Sequence, residues 1–391
     1  MTTYVDPSLL ELDQKEAHDR LFEFLDNRAN SPEKEQFSNI ILRAPGGFGK
    51  SYVLRALFGT LCKNGMRLPA ACTLSGIATL QLSGAGVTAS TIHSLLYYPE
   101  LDSKGNLVGW IKRNFSEIQS ATRGGIVVDE ASMISADIAE DLMSIGAPII
   151  WVGDHHQLPP VVVGDSESFC VFDDVMGDVL TLTKNRRVVE GRDNLFLINA
   201  TLRESPNIPR KAGKGVSFVR KSDVFRTDFH EQNDFDLIVC GMNKTRKKIN
   251  NAVRAARGVI DSDTAVPGEK VICLKNTIIE NVQIFNGETF LVEKKIPRND
   301  YDVFFLKSID FPDKMVGVQI AHESWEREAF NKNLPSCVPF GFAYAMTCHK
   351  SQGKTARNVL FYDENVSFFL DQRKFRYTGC SRAAAHLTIA I

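Results

Sequence analysis

A parallel α/β sheet is the fold that this sequence predicts, and three stretches predict it. Ile40-Ile41-Leu42 is a short apolar run, followed by a glycine-rich turn and then by Tyr52-Val53-Leu54-Arg55-Ala56-Leu57, which reads as the start of a helix. Gly125 to Glu130 is an apolar run closed by two acids, and Pro148 to Asp154 is another closed by one. Short apolar runs that alternate with helical patterns are strands of a sheet covered on both faces. Ligands bind such sheets at the carboxyl ends of the strands, where these polar residues stand.

With 391 residues the chain exceeds a single small core and points to two or three domains. Its 43% hydrophobic and 24% charged content is that of a soluble globular protein. No apolar run is long enough to span a membrane and no signal pattern opens the chain, so a cytoplasmic location is expected. The net charge of −1 gives no bulk argument for a nucleic-acid partner, and any such site must be a local patch. None of the 8 cysteines forms a C-x-x-C pair, and several lie in apolar runs. Buried free thiols in a reducing compartment are expected, and a zinc site is not supported.

Taken in order, residues 8–26 have helical spacing and 27–37 read as a loop around Pro32. Leu68 to Leu74 reads as a strand and Ser75 to Leu82 as a helix. Residues 97–120 read as a hairpin-like insertion carrying Trp110 and Phe115, whose rings could stack at a duplex junction or pack within the hairpin. After a polar connection at 203–215, Leu237 to Cys240 reads as a strand and Lys244 to Arg257 as a basic helix. Lys244, Arg246, Lys247, Lys248, Arg254 and Arg257 on that helix form either a phosphate-binding face or a solvated one. Residues 265–340 break into short apolar runs with turns such as Asn286-Gly287, the pattern of a small all-β unit. The last fifty residues return to α/β.

The chemistry concentrates at the strand ends. Pro45, Gly46, Gly47, Phe48 and Gly49 precede Lys50-Ser51, the order of a phosphate-binding loop, with Ala44 where the first glycine of the usual pattern would stand. Glycine lets backbone N–H groups point inward at phosphate, and the helix start adds partial positive charge. Lys50 would reach the β- and γ-phosphates of ATP, and Ser51 would hold Mg²⁺. Asp129 would hold the same Mg²⁺ and Glu130 would polarise the attacking water. Gln157, in Gly153-Asp154-His155-His156-Gln157-Leu158-Pro159-Pro160, could sense the γ-phosphate. Each has a plainer reading: a chance glycine-rich turn, solvated loop acids, and a proline-stiffened turn.

Together these motifs resemble the superfamily-one helicases of the RecD/Dda-type branch. Thr91-Ile92-His93-Ser94-Leu95-Leu96, Leu182-Thr183-Lys184-Asn185-Arg186-Arg187, Tyr344 to Gly353 and Tyr377 to Ala383 match that branch's segments in order. Thr73-Leu74-Ser75-Gly76 departs from its usual A-P-T-G. The resemblance implies two RecA-like P-loop domains with parallel sheets, a small inserted SH3-like β domain and a short hairpin insertion. The implied boundaries are 1–181 for the first domain, with the hairpin at about 97–120, then 182–264 and 341–391 for the second, and 265–340 for the SH3-like insertion. It further implies that Gln14 contacts adenine, that Gly353 joins the nucleotide site, and that Arg187 and Arg382 supply transition-state charge from the second domain. Ser75, Thr91, His93, Thr347 and His349 become the contacts to single-stranded nucleic acid. The expected activity is ATP-dependent 5′-to-3′ unwinding of duplex DNA by a monomer acting on single-stranded DNA and duplex junctions. A bacterial or phage-infected cell and replication or recombination proteins would be its setting. The alternatives are an RNA helicase of the same superfamily and a nucleic-acid-binding scaffold with a weak ATPase.

Overall fold

The computed structural model describes residues 4–30, 39–84, 87–101, 107–160, 169–186, 193–260, 262–279, 282–326, 338–368 and 370–391. Two compact units divide the chain, Met1–Arg187 and Val188–Ile391.

The strands of the first unit are β1 (Asn39–Arg43), β2 (Ala70–Thr73), β3 (Ala89–Thr91), β4 (Tyr97–Leu101), β5 (Leu107–Lys112), β6 (Ile126–Asp129), β7 (Ile149–Gly153) and β8 (Asp178–Thr181). Its helices are α1 (Leu12–Asn30), α2 (Lys50–Lys63), α3 (Gly76–Gly84), α4 (Ile92–Leu96), α5 (Phe115–Ala121), α6 (Ala136–Met143) and α7 (Val171–Asp174). Among the described residues one sheet runs β3-β2-β6-β7-β1-β8, and every pair in it is parallel. Its central strands β1, β6 and β7 are apolar because both of their faces are covered. Ile40, Leu42, Val127, Ile150 and Val152 pack with Leu21, Leu25, Leu54 and Leu57 of α1 and α2. Ile41, Val128, Ile149 and Trp151 point the other way, against Leu95, Leu142 and Phe172. Trp151 is fully buried and donates its indole N–H to Asn39 Oδ1 at 3.0 Å.

Three local expectations change. Helix α1 runs to Asn30, past the residue where a loop was expected to begin. The hairpin β4–β5 forms, but Phe115 opens α5 instead of riding on a hairpin arm. Strand β8 pairs beside β1 although its burial is slight, so no apolar run announces it.

In the second unit the elements are α8 (Asp193–Glu204), β9 (Val216–Val219), α9 (Thr227–Gln232), β10 (Leu237–Cys240), α10 (Asn243–Ala256), β11 (Lys270–Cys273), β12 (Thr277–Ile279), β13 (Val282–Ile284), β14 (Thr289–Pro297), β15 (Tyr301–Ser308), β16 (Met315–Ala321), β17 (Phe340–Phe342), β18 (Ala345–Thr347), β19 (Ala356–Tyr362), α11 (Gln372–Cys380) and β20 (Ala383–Ala390). A parallel sheet runs β18-β10-β19-β20-β9. The β-rich stretch forms a separate antiparallel sheet, β16-β15-β14-β11-β17, around Phe290, Phe304, Trp325 and Phe340. Trp325 stacks on Phe304 with ring centroids 5.7 Å apart.

Buried ion pairs join the two sheets of this unit. Arg246 of α10 pairs with Glu326, and Arg254 pairs with Glu269 at 2.8 Å while its guanidinium lies 3.9 Å from the Phe342 ring centroid. These two arginines therefore belong to neither a phosphate-binding face nor a solvated one. Lys244, Lys247 and Lys248 of the same helix are exposed.

Candidate active site

The site of the first unit is assembled at the carboxyl ends of β1, β6 and β7. After β1 the loop begins with Ala44, whose N–H donates to Gly153 O at 2.9 Å and whose methyl lies in the core. Alanine serves there because the left-handed backbone falls elsewhere, at Gly47 (φ 87°) and Gly49 (φ 91°). A side chain on Gly49 would also collide with the Gln14 amide. Gln14, buried on α1, thus lies directly against the turn that starts α2.

Lys50 folds back onto the loop and donates Nζ to Ala44 O at 2.8 Å and to Pro45 O at 3.3 Å. Gly46 N–H donates to Asp154 Oδ2 at 3.0 Å, and Gln157 Nε2 donates to the same oxygen at 3.2 Å. Asp154 therefore links the loop to the segment after β7, a role that reading the sequence missed. The residue was visible as the acid closing its strand, but acids at strand ends do not declare whether they face a ligand or a neighbouring loop.

Asp129 is buried, and burial, followed by the charge of Glu130, pushes its carboxyl up to about 6, against the pull of Lys50. Glu130 takes a left-handed backbone, φ 54°, which costs a non-glycine residue strain. Its Oε2 is buried without a hydrogen-bond partner, and so is Gln157 Oε1. Two buried acceptors without donors beside a phosphate-binding loop are groups waiting for a ligand's polar atoms. Among the described residues no three His, Cys, Asp or Glu side chains cluster as a metal site. Mg²⁺ needs none, because it takes one or two protein oxygens together with phosphate oxygens.

Residues 182–186 lie across this loop. Arg186 N–H donates to Gly47 O at 2.9 Å, and its guanidinium donates to Phe48 O at 2.9 Å and to Asp13. Asp13 also accepts from the backbone N–H groups of Thr183 and Lys184. Burial raises the Asp13 carboxyl, but Arg186 and these two donors together hold it down at about 2. The neighbouring Arg187 lies outside the described residues.

Ser75 follows β2 and Thr91 ends the adjacent β3, so both stand at one edge of the sheet. Each also caps a helix: Ser75 Oγ accepts from Ala78 N–H at 3.2 Å and Thr91 Oγ1 from Ser94 N–H at 3.1 Å. The half-buried His93 ring lies 5.1 Å from the partly exposed Trp110 ring of β5, and burial lowers its pKa.

In the second unit Thr347 ends β18 and His349 opens the following single turn. Gly353, at φ 79°, closes that turn. Arg382 is buried, with its guanidinium bound to main-chain carbonyls of Thr378, Lys354 and Ser351.

Residues 34–199 match the family profile of an AAA domain, and residues 342–390 that of a UvrD-like helicase C-terminal domain. The ATP-dependent DNA helicase Pif1 of Bdellovibrio bacteriovorus is 26% identical over 364 residues, covering 81% of this chain and 76% of its own. The protein of the same name from Campylobacter jejuni is 21% identical over 387 residues, covering 83% of each chain. A Bacteroides Pif1 helicase solved with ADP-AlF3 and single-stranded DNA superposes with a TM-score of 0.58 at 17% identity, over 94% of this chain and 91% of that one. A Pif1 helicase structure described as bearing on unwinding at forked duplex DNA gives 0.62 at 16% identity, over 98% and 92%. Fold and structural neighbours thus define a protein of two RecA-like domains with parallel sheets, the first carrying a P-loop. Within that class the chain is similar to the superfamily-one helicases of the Pif1/RecD-like group, through its AAA-domain and UvrD-like C-terminal matches and its curated Pif1 relatives.

Proposed function

We propose that this protein is an ATP-dependent DNA helicase that moves 5′ to 3′ along single-stranded DNA and opens duplex DNA at junctions. One observation carries the reading: a phosphate-binding loop, a buried Asp129 and the unpartnered oxygens of Glu130 and Gln157 converge at the strand ends of a chain that matches a helicase C-terminal profile.

The division of labour follows the family resemblance, with the arrangement around the loop in its support. Pro45, which has no N–H, opens the loop, Gly46 to Gly49 present main-chain N–H groups to the phosphates, Lys50 leaves its loop carbonyls for the β- and γ-phosphates, and Gln14 reads the adenine. Ser51 and Asp129 would hold Mg²⁺, which supplies charge neutralisation on the phosphates when bound. The unpaired Glu130 oxygen accepts a proton from the attacking water, and Gln157 exchanges its bond to Asp154 for one to the γ-phosphate. Arg187 and Arg382 supply positive charge as the phosphoryl group transfers, and Gly353 belongs with them in the nucleotide site. Ser75, Thr91, His93, Thr347 and His349 contact the single strand, and the antiparallel sheet is the SH3-like insertion of the branch.

The protein acts as a monomer in the cytoplasm of a bacterial or phage-infected cell, with replication or recombination proteins as further partners. Among the described residues no cysteine forms a disulfide, and no helix is long and apolar enough to cross a membrane. Duplexes with a 5′ or a 3′ single-stranded tail, each incubated with MgATP, test activity and direction together. Strand release from the 5′-tailed substrate alone is expected; release from the 3′-tailed one alone would reverse the assignment of direction.

A further inference from the structure

In the second unit the loop after β18 is gripped from two sides. Arg382 holds its main chain, donating Nη1 to Lys354 O at 3.2 Å and to Ser351 O at 3.5 Å. The same guanidinium is oriented by Thr378 O and Ser381 Oγ, each at 2.9 Å. The side chain of Lys354 runs the other way, into the antiparallel sheet. Its Nζ donates to Asp310 Oδ1 at 2.8 Å, Asp310 Oδ2 at 2.9 Å and Thr289 Oγ1 at 3.3 Å.

The three N–H donors of the ammonium thus meet three acceptors. Lys354 is only 7% exposed, so its charge depends on Asp310. Asp310 stands in the turn between β15 and β16 and is itself anchored, since its Oδ2 accepts from Thr289 N–H and Thr289 Oγ1, both at 2.7 Å. A rigid carboxylate on one sheet therefore places the carbonyl that orients an arginine on the other.

We propose that Asp310 is a positioning residue for ATP hydrolysis, acting through Lys354 to set where Arg382 stands. The β-rich insertion is then part of the ATPase machinery. This rests on the role given above to Arg382. Small displacements of a group aimed at a transition state cost about 100-fold in rate, whereas ground-state binding of ATP has no such dependence on Asp310.

The test is steady-state ATP hydrolysis by the full chain with saturating oligothymidylate, comparing Asp310→Asn, the double variant Asp310→Asn/Lys354→Met and Arg382→Lys with the parent. For Asp310→Asn, kcat is expected to fall about 10- to 100-fold with the KM for ATP within about twofold of the parent. The double variant removes both buried charges, an exchange that proteins commonly tolerate, so it folds even where the single variant does not. It should melt like the parent and remain slow.

A folded double variant with parental kcat overturns the proposal. So does a single variant whose melting temperature or KM changes while kcat is kept, because that marks a structural role only. Arg382→Lys separates the two levels. Parental hydrolysis by that variant defeats the transition-state role of Arg382. Loss of hydrolysis there, with parental kcat in a folded double variant, defeats the role of Asp310 alone.

Discussion

Glu130 shows how one residue can betray its work through what it tolerates. A left-handed backbone and a buried oxygen without a donor are both unfavourable, and both occur at the end of a strand that faces the phosphate-binding loop. Replacing Glu130 by Gln keeps shape and burial but removes the carboxylate proposed as the base. ATP hydrolysis should drop about 10²- to 10⁴-fold while a fluorescent ATP analogue still binds. Lys50→Ala should abolish phosphate release without changing the circular dichroism spectrum, because among the described residues Lys50 bonds to two loop carbonyls that water can satisfy. That Lys50 and Glu130 stand at strand ends was legible in the sequence, because a glycine-rich turn and an acid pair each close an apolar run there. Asp154 was less so: its contact with Gly46 spans 108 positions, and no local pattern encodes a bond of that range.

At the scale of elements, the 182–186 segment and α1 form a latch over the loop through Asp13 and Arg186. The folded pKa of Asp13, about 2, lies below its ordinary 3.8. Its stabilisation is therefore fully present above pH 3.8 and is lost as pH falls through about 2. The difference in urea stability between the parent and Asp13→Asn should be constant from neutral pH down to about pH 4, at no more than about 2 kcal/mol, and should shrink below that. In the other unit, α10 uses its arginines as bolts. Arg254→Ala strands Glu269 in the interior and should cost about 3–5 kcal/mol in chemical denaturation, whereas Lys247→Ala, on the exposed face, should cost little. The helix itself was legible from its spacing. The use of its charges was not, since Glu326 stands 80 positions from Arg246 and a run of basic residues looks alike whether it faces water or a partner. Strands β8 and β9 went unread for a related reason: they are partly exposed and lack the apolar run that revealed β1, β6 and β7.

At the scale of the whole molecule, each unit has its own parallel sheet and its own hydrophobic clusters, so the chain need not unfold in a single step. A nucleotide that binds the phosphate loop stabilises the unit that carries it, by about 2.7 kcal/mol at a hundred times its dissociation constant. Calorimetry with a non-hydrolysable ATP analogue should then raise the transition of the first unit. The two-sheet α/β architecture was readable from strand and helix alternation, and the β-rich interruption from its turns. The ion pairs that attach that interruption to its host sheet had to be seen in three dimensions.

The placement of the three tryptophans has a practical consequence. Trp151 sits in the dry interior of the first unit, Trp325 within the aromatic cluster of the antiparallel sheet, and Trp110 at the partly wet rim of the hairpin beside His93. Each region thus contains an intrinsic fluorophore. Single-tryptophan versions of the protein, with the other two changed to phenylalanine, would let emission wavelength and quenching follow the surroundings of the hairpin and melting of either interior separately, without any attached dye.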